Sequence, residues 1–265
     1  MTTRSSSVRS IRRSRWPATA VRCCTTAADT PSSSADTVLT PARRRGVEIL
    51  DDPNVDPQVR ERAIADVTRS NRLLGGLRAA TEAVLGALPG RTDTTLLDIG
   101  TGLADIPAAA RAIARLRGVA ITTVGIDEAP SLLAAAGDRL DLRVAADALA
   151  LPFRDHCIDV VICSQVLHHF EDAEAERLIR EMNRVARHGA IVADLRRSWV
   201  AAVGFWLISY PFRFHRVTRH DGVVSVLRGF TRNDLQRLIR AATGTTPVVH
   251  RHLGFRLIAQ WRPTA

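Results

Sequence analysis

Three histidines of this sequence are its best candidates for acid–base chemistry. His168 and His169 are consecutive and follow an apolar run, and His220 stands beside Asp221. An imidazole titrates near neutral pH, so a well-placed histidine can take a proton from a hydroxyl group or an acidic carbon. All three are candidate catalytic bases, with Asp221 available to orient His220. The alternatives are that His169 packs or caps a helix, since two consecutive helical residues cannot both face one pocket, and that Asp221 is a helix N-cap.

Glycines and carboxylates that follow successive apolar runs suit an adenosine-containing ligand. Residues 97–105 (LDIGTGLAD) lead from an apolar run into a turn where Gly100 and Gly102 let the backbone approach a ligand closely. Asp127 ends the next run, where its carboxylate can accept hydrogen bonds from two ribose hydroxyls. Asp147 follows a further run and could meet an adenine amino group.

The glycine turn differs from two well-known phosphate-binding motifs. A dinucleotide site needs G-x-G-x-x-G, and the third glycine would fall at Asp105, whose carboxylate would face a pyrophosphate. A P-loop needs a lysine, and the sequence contains none, because all 37 basic residues are arginine. The sequence therefore argues against NAD and against a P-loop nucleotide.

Short apolar runs alternate with helical stretches, and these elements must position the candidate residues. Such alternation implies a parallel sheet with helices on both faces and ligands at the carboxyl ends of its strands. The predicted fold is α/β and Rossmann-like, with five parallel strands and a C-terminal antiparallel hairpin in one seven-stranded sheet. The predicted strands are 95–99, 120–126, 142–145, 158–163, 190–195, 247–252 and 255–261, and helices between them include 106–116, 131–138 and 173–186.

Composition divides the chain into three parts. Residues 1–45 are rich in arginine and serine and are expected to be disordered; a transit peptide, or a downstream start such as Val38, is the alternative. Residues 46–90 are expected to form a helical cap, with one helix opened by Asp56 and a second over 73–88. Residues 91–265 form the main domain, with an insertion at about 196–230.

Net charge and cysteine content exclude several classes of function. The net charge is +10, but nine arginines and two acids before Gly46 supply +7 of it, which leaves about +3 for the remainder. This excess is too small to indicate nucleic-acid binding. The four cysteines show no C-x-x-C spacing, so neither a metal site nor a disulfide framework is indicated, and a cytoplasmic location fits best.

Four ordered segments make the sequence similar to class I S-adenosylmethionine-dependent methyltransferases, within the broad group of ubiquinone and menaquinone biosynthesis enzymes. The segments are LDIGTG at 97–102, VGID at 124–127, ADALALPF at 146–153 and VLHHF at 166–170. The resemblance implies that S-adenosyl-L-methionine is the cofactor. The cofactor contacts that it implies are Asp98, Gly100 and Gly102 around the methionine part, Asp127 at the ribose, Asp147 and Ala148 at the adenine, and Ser164 and Gln165 beside the sulfonium.

The resemblance also implies that the acceptor pocket lies in the insertion at about 196–230. Asp221 and Arg228 are its candidate substrate contacts, although Arg228 could equally be a surface charge. Residues 199–214 are strongly apolar and flanked by arginines, but a bilayer span needs about 20 apolar residues. This segment suits a helix at a membrane interface, a lid, or an ordinary buried helix. The expected acceptor is small and hydrophobic (phenolic, a quinone precursor or polyketide-like), with oxygen slightly favoured over carbon.

Two other functions stay open. Enzymes that methylate exocyclic base nitrogens have an Asn/Asp-Pro-Pro-Tyr/Phe motif where this chain has CSQV at 163–166, and Cys163 does not follow the proline expected of a cytosine-methylating nucleophile. The second alternative is a non-catalytic, methyltransferase-like partner protein. The intact set of Asp98, Gly100, Gly102 and Asp127 argues against that alternative.

Overall fold

A seven-stranded sheet forms the centre of the computed structural model, which describes residues 39–44, 46–52 and 54–264. The strands are β1 (Asp93–Ile99), β2 (Ala120–Asp127), β3 (Leu142–Ala145), β4 (Ile158–Ser164), β5 (Ala186–Leu195), β6 (Val248–His252) and β7 (Arg256–Trp261). Their order is β3-β2-β1-β4-β5-β7-β6. The first five run parallel, and β7 lies antiparallel to both β5 and β6. The predicted fold class, including the C-terminal hairpin, is confirmed.

Helices cover both faces of the sheet. The described residues contain α1 (Pro57–Leu73), α2 (Gly76–Ala87), α3 (Asp105–Leu116), α4 (Pro130–Ala136), α5 (Asp172–Val185), α6 (Trp199–Ser209), α7 (Arg216–Arg228) and α8 (Arg232–Thr243). Successive residues of a strand point to opposite faces of the sheet, so they pack into different hydrophobic cores. Leu96 packs with α2 and α3, whereas Leu97 packs with α5 and α8. None of the helices in the described ranges has the length and hydrophobicity needed to cross a membrane.

Two element boundaries differ from the prediction. The helix expected over 73–88 begins at Gly76, because Gly75 has a φ of 78° and separates the end of α1 from the start of α2. β5 begins at Ala186 rather than at residue 190, since an irregularity between Ile158 and Val160 lets the earlier residues pair with β4. Neither shift changes the carboxyl ends of β1, β2 and β4, where the candidate residues lie.

Part of the segment predicted to be disordered is described and packs on the domain. The Trp199 N–H donates to the Leu39 carbonyl at 2.9 Å, and the Arg43 guanidinium lies 4.3 Å from the centre of the Phe230 ring. Residues 39–44 are therefore ordered and not disordered as predicted, so the boundary predicted at residue 45 lies too far along the chain. The rest of that prediction, on residues 1–38 and 45, falls outside the described residues.

Candidate active site

A cavity of about 900 Å³ opens at the carboxyl ends of β1, β2 and β4. The strand order reverses between β1 and β4, which is where open α/β sheets bind ligands. Residues of α1 and α2 line the cavity together with residues of α6 and α7. Most of the predicted site residues line it, namely Asp98, Gly100, Gly102, Asp127, Ala148, Ser164, Gln165, His168, His169 and Asp221.

The turn after β1 requires glycine for two reasons. Gly100 and Gly102 have φ values of 65° and 51°, a left-handed conformation that costs other residues about 1–2 kcal/mol. A Cβ at Gly100 would lie 2.3 Å from Cγ2 of Val166, whereas a Cβ at Gly102 would meet no atom within 4 Å. The turn is therefore tightly packed beneath Gly100 and open at Gly102. Ala104, two residues further along the turn, also has a left-handed φ of 57°.

The Asp127 carboxylate fixes this turn. Its Oδ2 accepts a hydrogen bond from the Gly102 N–H at 3.0 Å, and its Oδ1 accepts one from the Ala129 N–H at 2.9 Å. Each oxygen retains a second lone pair, so the half-buried carboxylate can still accept from a hydroxyl in the cavity. Asp127 thus both holds the glycine turn and presents acceptors to a ligand.

Asp98 lies buried at the end of β1, below the turn. Its Oδ2 accepts a hydrogen bond from the Thr101 hydroxyl at 2.9 Å. Burial raises the pKa of Asp98 to about 7; the bond from Thr101 opposes the rise, and the charge of Asp127 adds to it. A cationic group bound beside Asp98 would favour its ionised form.

His168 forms a buried pair with Asp194 near the end of β5. Nδ1 of His168 lies 2.7 Å from Oδ1 of Asp194, and the His168 backbone N–H donates to Oδ2 at 3.2 Å. Burial opposes ionisation of Asp194, but the charge and hydrogen bond of His168 outweigh burial and lower its pKa. An ionised carboxylate only accepts, so Nδ1 carries the proton. Nε2 is an acceptor whenever the ring carries its proton on Nδ1 alone; it is buried and has no hydrogen-bond partner among the described residues.

His169 also lines the cavity, so the expectation that only one of the two histidines could do so is wrong. The pair lies on a 3-10 turn, Leu167–His169, rather than on an α-helix, and the two rings are 4.3 Å apart. His169 Nδ1 lies 3.5 Å from Oδ1 of Asp51. Burial opposes protonation of His169, but the hydrogen bond with Asp51 and the charge of Glu48 raise its pKa. The raised pKa favours the protonated form of His169, and a protonated imidazole cannot act as a base. His168 is therefore the better candidate base of the two.

Arg228 is neither a cavity contact nor a surface charge, which corrects both predictions for it. Its side chain is only 12% exposed and donates to the Gly46 carbonyl at 2.7 Å, to Glu48 at 3.1 Å and to Asp51 at 3.0 Å. Because these partners precede α1 in the chain, Arg228 joins α7 to the segment 46–51. This contact holds the acids Glu48 and Asp51 beside the two histidines.

Asp221 lines the cavity, but its carboxylate is occupied by backbone groups. Oδ1 accepts from the Ile49 N–H at 2.8 Å and Oδ2 from the Leu50 N–H at 3.0 Å. Asp221 lies within α7, whose N-cap is His215, so the N-cap alternative is wrong. His220 contacts Asp221 at 2.8 Å as expected, but its side chain is 50% exposed and does not line the cavity.

Asp147 lies between two lining residues without lining the cavity itself. Its exposed carboxylate accepts a hydrogen bond from the Leu149 N–H at 2.7 Å, whereas Ala146 and Ala148 face the cavity. The adenine contact of Asp147 stays a prediction.

Three further residues of the site were not singled out in the sequence, and two of them, Glu48 and Arg256, line the cavity. Asp194 orients His168, Glu48 lies 3.9 Å from Nε2 of His168, and Arg256 is a buried arginine at the start of β7. Asp194 had one signal, because it is the acid near the carboxyl end of an apolar strand. Glu48 and Arg256 had none, because their positions depend on contacts between distant parts of the chain.

Glu48, His168 and His169 could also ligate a metal ion. Each offers one ligand atom, and these atoms all lie within 4.8 Å of one another. The Arg228 guanidinium, however, lies 3.1 Å from Oε1 of Glu48 and 3.3 Å from Nδ1 of His169. This fixed positive charge would repel a cation, so the arrangement suits proton transfer better than metal binding.

Comparison with known proteins adds a family match over the centre of the chain. Residues 97–193 match the family model described as a methyltransferase domain. A demethylmenaquinone methyltransferase of Roseiflexus sp. strain RS-1 is 36% identical over 148 residues, which cover 52% of this chain and 56% of that protein. A 27-O-demethylrifamycin SV methyltransferase of Amycolatopsis mediterranei is 37% identical over 121 residues, covering 43% and 42%. The chain spans about half the length of the curated relatives it matches.

Solved structures share the fold at low sequence identity. Plantazolicin methyltransferase in complex with SAH has a TM-score of 0.60 and 12% identity, covering 82% of this chain and 93% of that chain. A SAM-dependent methyltransferase of Thermotoga maritima, described as a possible histamine N-methyltransferase, has a TM-score of 0.55 and 16% identity, covering 78% and 99%. At these identities the likeness concerns the fold alone.

Proposed function

Because residues 97–193 form a methyltransferase domain of the class I type, we propose that this protein transfers a methyl group from S-adenosyl-L-methionine to an oxygen atom of a small hydrophobic acceptor. One observation carries the proposal. The cavity that contains the glycine turn is also lined by His168, whose Nδ1 is held by Asp194 and whose buried Nε2 has no hydrogen-bond partner among the described residues. The residues proposed to bind the cofactor and the residue proposed as the base thus line the same cavity.

The residues of the turn fit the proposed cofactor. When bound, S-adenosyl-L-methionine would supply an electrophilic methyl group on a sulfonium. Gly102 leaves open space on the cavity side of the turn, and Asp127 retains acceptor capacity for hydroxyl groups. Asp98 would be ionised by a neighbouring amino group, which gives the methionine end a counter-charge. Ser164 and Gln165, at the end of β4, keep the role beside the sulfonium that the resemblance implies.

His168 would act as the base towards the acceptor. Its Nε2 would take the proton of an acceptor hydroxyl, and the ionised Asp194 would stabilise the imidazolium that forms. Acceptor oxygen becomes a stronger nucleophile when it loses this proton. An imidazole takes the proton of a phenolic hydroxyl more readily than that of most carbon acids, which supports the preference for oxygen over carbon. Asp221, the remaining predicted substrate contact, would help to shape the pocket through the backbone that it holds.

The apolar side chains that α1, α2 and α6 contribute to the cavity favour a hydrophobic acceptor. Ile64 and Val67 of α1, Leu77 of α2, and Phe205 and Ile208 of α6 line it. Relatives named for demethylmenaquinone and demethylrifamycin support a quinone, phenol or polyketide-like acceptor. Residues 196–230, which contain α6 and α7, would form the acceptor pocket, and residues 46–90 would cap it.

Two measurements test the proposed reaction. Calorimetry should detect binding of S-adenosyl-L-methionine to the full chain, and labelled methyl transfer should follow with at least one phenol, hydroquinone or polyketide of an acceptor panel. Absence of cofactor binding would reject the enzyme function and favour a non-catalytic partner protein. Transfer to carbon alone would reject the oxygen preference.

The environment of Cys163 does not support the alternative that this protein is a nucleic-acid methyltransferase with a nucleophilic cysteine. Its thiol is fully buried in β4, and burial raises its pKa well above the ordinary value. A nucleophilic cysteine needs an accessible thiolate. Cys163 therefore acts as a small packing residue, and the proposed acceptor is a small molecule.

We also propose that α6 contacts an anionic membrane surface, from which a hydrophobic acceptor would enter. Ala201, Phe205 and Ile208 face the cavity, while the outer side of the helix exposes apolar residues. Arg213 and Arg216 follow the helix, and arginines around an apolar stripe complement anionic lipid headgroups. The exposed apolar residues are Val200, Val203, Trp206, Leu207 and Tyr210.

Vesicle binding tests this contact. The full chain should sediment with phosphatidylglycerol vesicles, and the double variant Trp206→Ser, Leu207→Ser should bind about 10-fold more weakly or worse, because two partly exposed apolar side chains no longer insert. The matched control is Ile113→Ser, Leu116→Ser on α3, where both side chains are also exposed. If the wild-type chain does not sediment, or if both double variants bind equally, the membrane contact is wrong.

A further inference from the structure

One buried arginine of the cavity donates only to neutral side chains among the described residues. Arg256 is 5% exposed and lines the cavity at the start of β7. Nη1 donates to Oε1 of Gln165 at 3.0 Å and Nη2 to Oδ1 of Asn71 at 2.9 Å, and both of these acceptors are neutral amides. Nε is buried and has no hydrogen-bond partner among the described residues. Burial lowers the pKa of Arg256 to about 10, which the charge of Asp194 opposes, so the guanidinium stays charged at neutral pH.

The N-terminus of helix α2 lies next to the guanidinium of Arg256. α2 begins at Gly76, its N-cap Gly75 provides no side-chain hydrogen bond, and Gly76 and Leu77 line the cavity. The first N–H groups of the helix therefore lack partners within it and carry partial positive charge. A Cβ at Gly76 would lie 2.9 Å from Nε of Arg256. Two positive groups thus converge on one small region.

The surrounding chain is shaped to bring these groups together. The hairpin turn before β7 packs on the junction of α1 and α2, where a Cβ at Gly254 would lie 1.9 Å from the Leu74 carbonyl oxygen. Glycine is thus needed both at Gly254 and at Gly76 for this close approach. Asp194, whose charge acts on Arg256, is already hydrogen-bonded to His168. The described residues supply no carboxylate that forms an ion pair with Arg256.

From this geometry we propose that Arg256 and the N-terminus of α2 bind the carboxylate of a ligand. A carboxylate matches the planar donors of a guanidinium and is stabilised by a helix N-terminus. It can come from the amino-acid part of the cofactor, in which case the inference rests on the proposed function, or from an acidic acceptor. Gln165, which links Arg256 to the end of β4, would couple the carboxylate to the reacting end of the cavity.

Three probes, titrated by calorimetry into the wild-type chain and Arg256→Gln, distinguish the sources. They are S-adenosylhomocysteine, 5′-methylthioadenosine, which lacks the carboxylate, and benzoate. If the cofactor supplies the carboxylate, the variant binds S-adenosylhomocysteine about 10-fold more weakly or worse and 5′-methylthioadenosine unchanged. If the acceptor supplies it, only benzoate binding is lost. Equal binding of all three probes to both proteins would overturn the carboxylate site.

Two further variants keep this test decisive. Arg78→Gln removes the same charge from the first turn of α2, but its side chain is 83% exposed and pairs with Glu82, so binding should not change. Gly76→Ala would place a Cβ 2.9 Å from Nε and displace the guanidinium, so it should reproduce the ligand-selective loss if Arg256→Gln does not fold. Failure of the wild-type chain to bind either nucleoside would reject the proposed function, while the benzoate titration would still decide the carboxylate site.

Discussion

His168→Asn is expected to lower kcat by about 10²–10⁴-fold, the usual contribution of a positioned general base, while the affinity for S-adenosyl-L-methionine stays the same. Asparagine keeps a donor for Asp194 but removes Nε2, which is buried and has no hydrogen-bond partner among the described residues. Turnover with an acceptor of the panel, and calorimetry with the cofactor, measure the two effects separately.

The neighbouring histidine provides the matched control. His169 lines the same cavity, but its Nδ1 lies 3.5 Å from Oδ1 of Asp51 and 3.3 Å from Nη1 of Arg228, so it is not oriented by a buried carboxylate as His168 is. His169→Asn should therefore reduce kcat much less than His168→Asn. Exogenous imidazole should restore part of the activity of His168→Ala, because the small ring can enter the space that the side chain leaves. Equal losses in both asparagine variants, together with equal losses of thermal stability, would show that His168 only packs.

Asp194 should act as a positioning residue for the same step. Asp194→Asn keeps the shape of the side chain but removes the charge that stabilises the imidazolium, and its amide can favour the opposite ring tautomer. Its effect should fall on kcat rather than on KM. Combined with His168→Asn it should add little further loss, because both changes act on one unit.

The sequence was sufficient for features that depend on local pattern. The positions of the strands can be predicted because their apolar runs pack into cores on both faces of the sheet. The ends of the strands can be predicted because polar residues come directly after those runs. This is why Asp98, Asp127 and Ser164 could be assigned to one sheet edge before the sheet was seen. Asp56 likewise caps the helix that is predicted to begin beside it.

Features that depend on distant contacts could not be predicted. Arg228 was expected at the substrate or at the surface, yet it binds residues about 180 positions earlier in the chain and holds Glu48 beside His168. The orientation of His169 depended on whether its turn is a 3-10 turn or an α-helix, which the spacing of apolar residues does not determine. Arg256 reached the cavity through a hairpin whose sequence shows no functional pattern.

Asp127→Ala is expected to weaken binding of S-adenosyl-L-methionine about 10- to 100-fold, as loss of hydrogen bonds to a charged group worth about 1.5–3 kcal/mol would do. The structure changes the reason for this loss. The carboxylate would contact the ribose, and it also holds the Gly102 N–H and the Ala129 N–H. The variant should therefore lose some thermal stability as well, whereas an exposed strand end would leave stability unchanged.

Asp141→Ala separates these two effects. The Asp141 carboxylate also accepts a hydrogen bond from a backbone N–H, that of Thr123 at 2.7 Å, but it does not line the cavity. Its removal should lower the melting temperature without changing the dissociation constant of the cofactor, measured by calorimetry. If Asp127→Ala lowers stability and leaves the dissociation constant unchanged, its carboxylate serves the turn alone and the ribose assignment is wrong. If affinity falls only for Asp127→Ala, the turn and the ligand share this carboxylate.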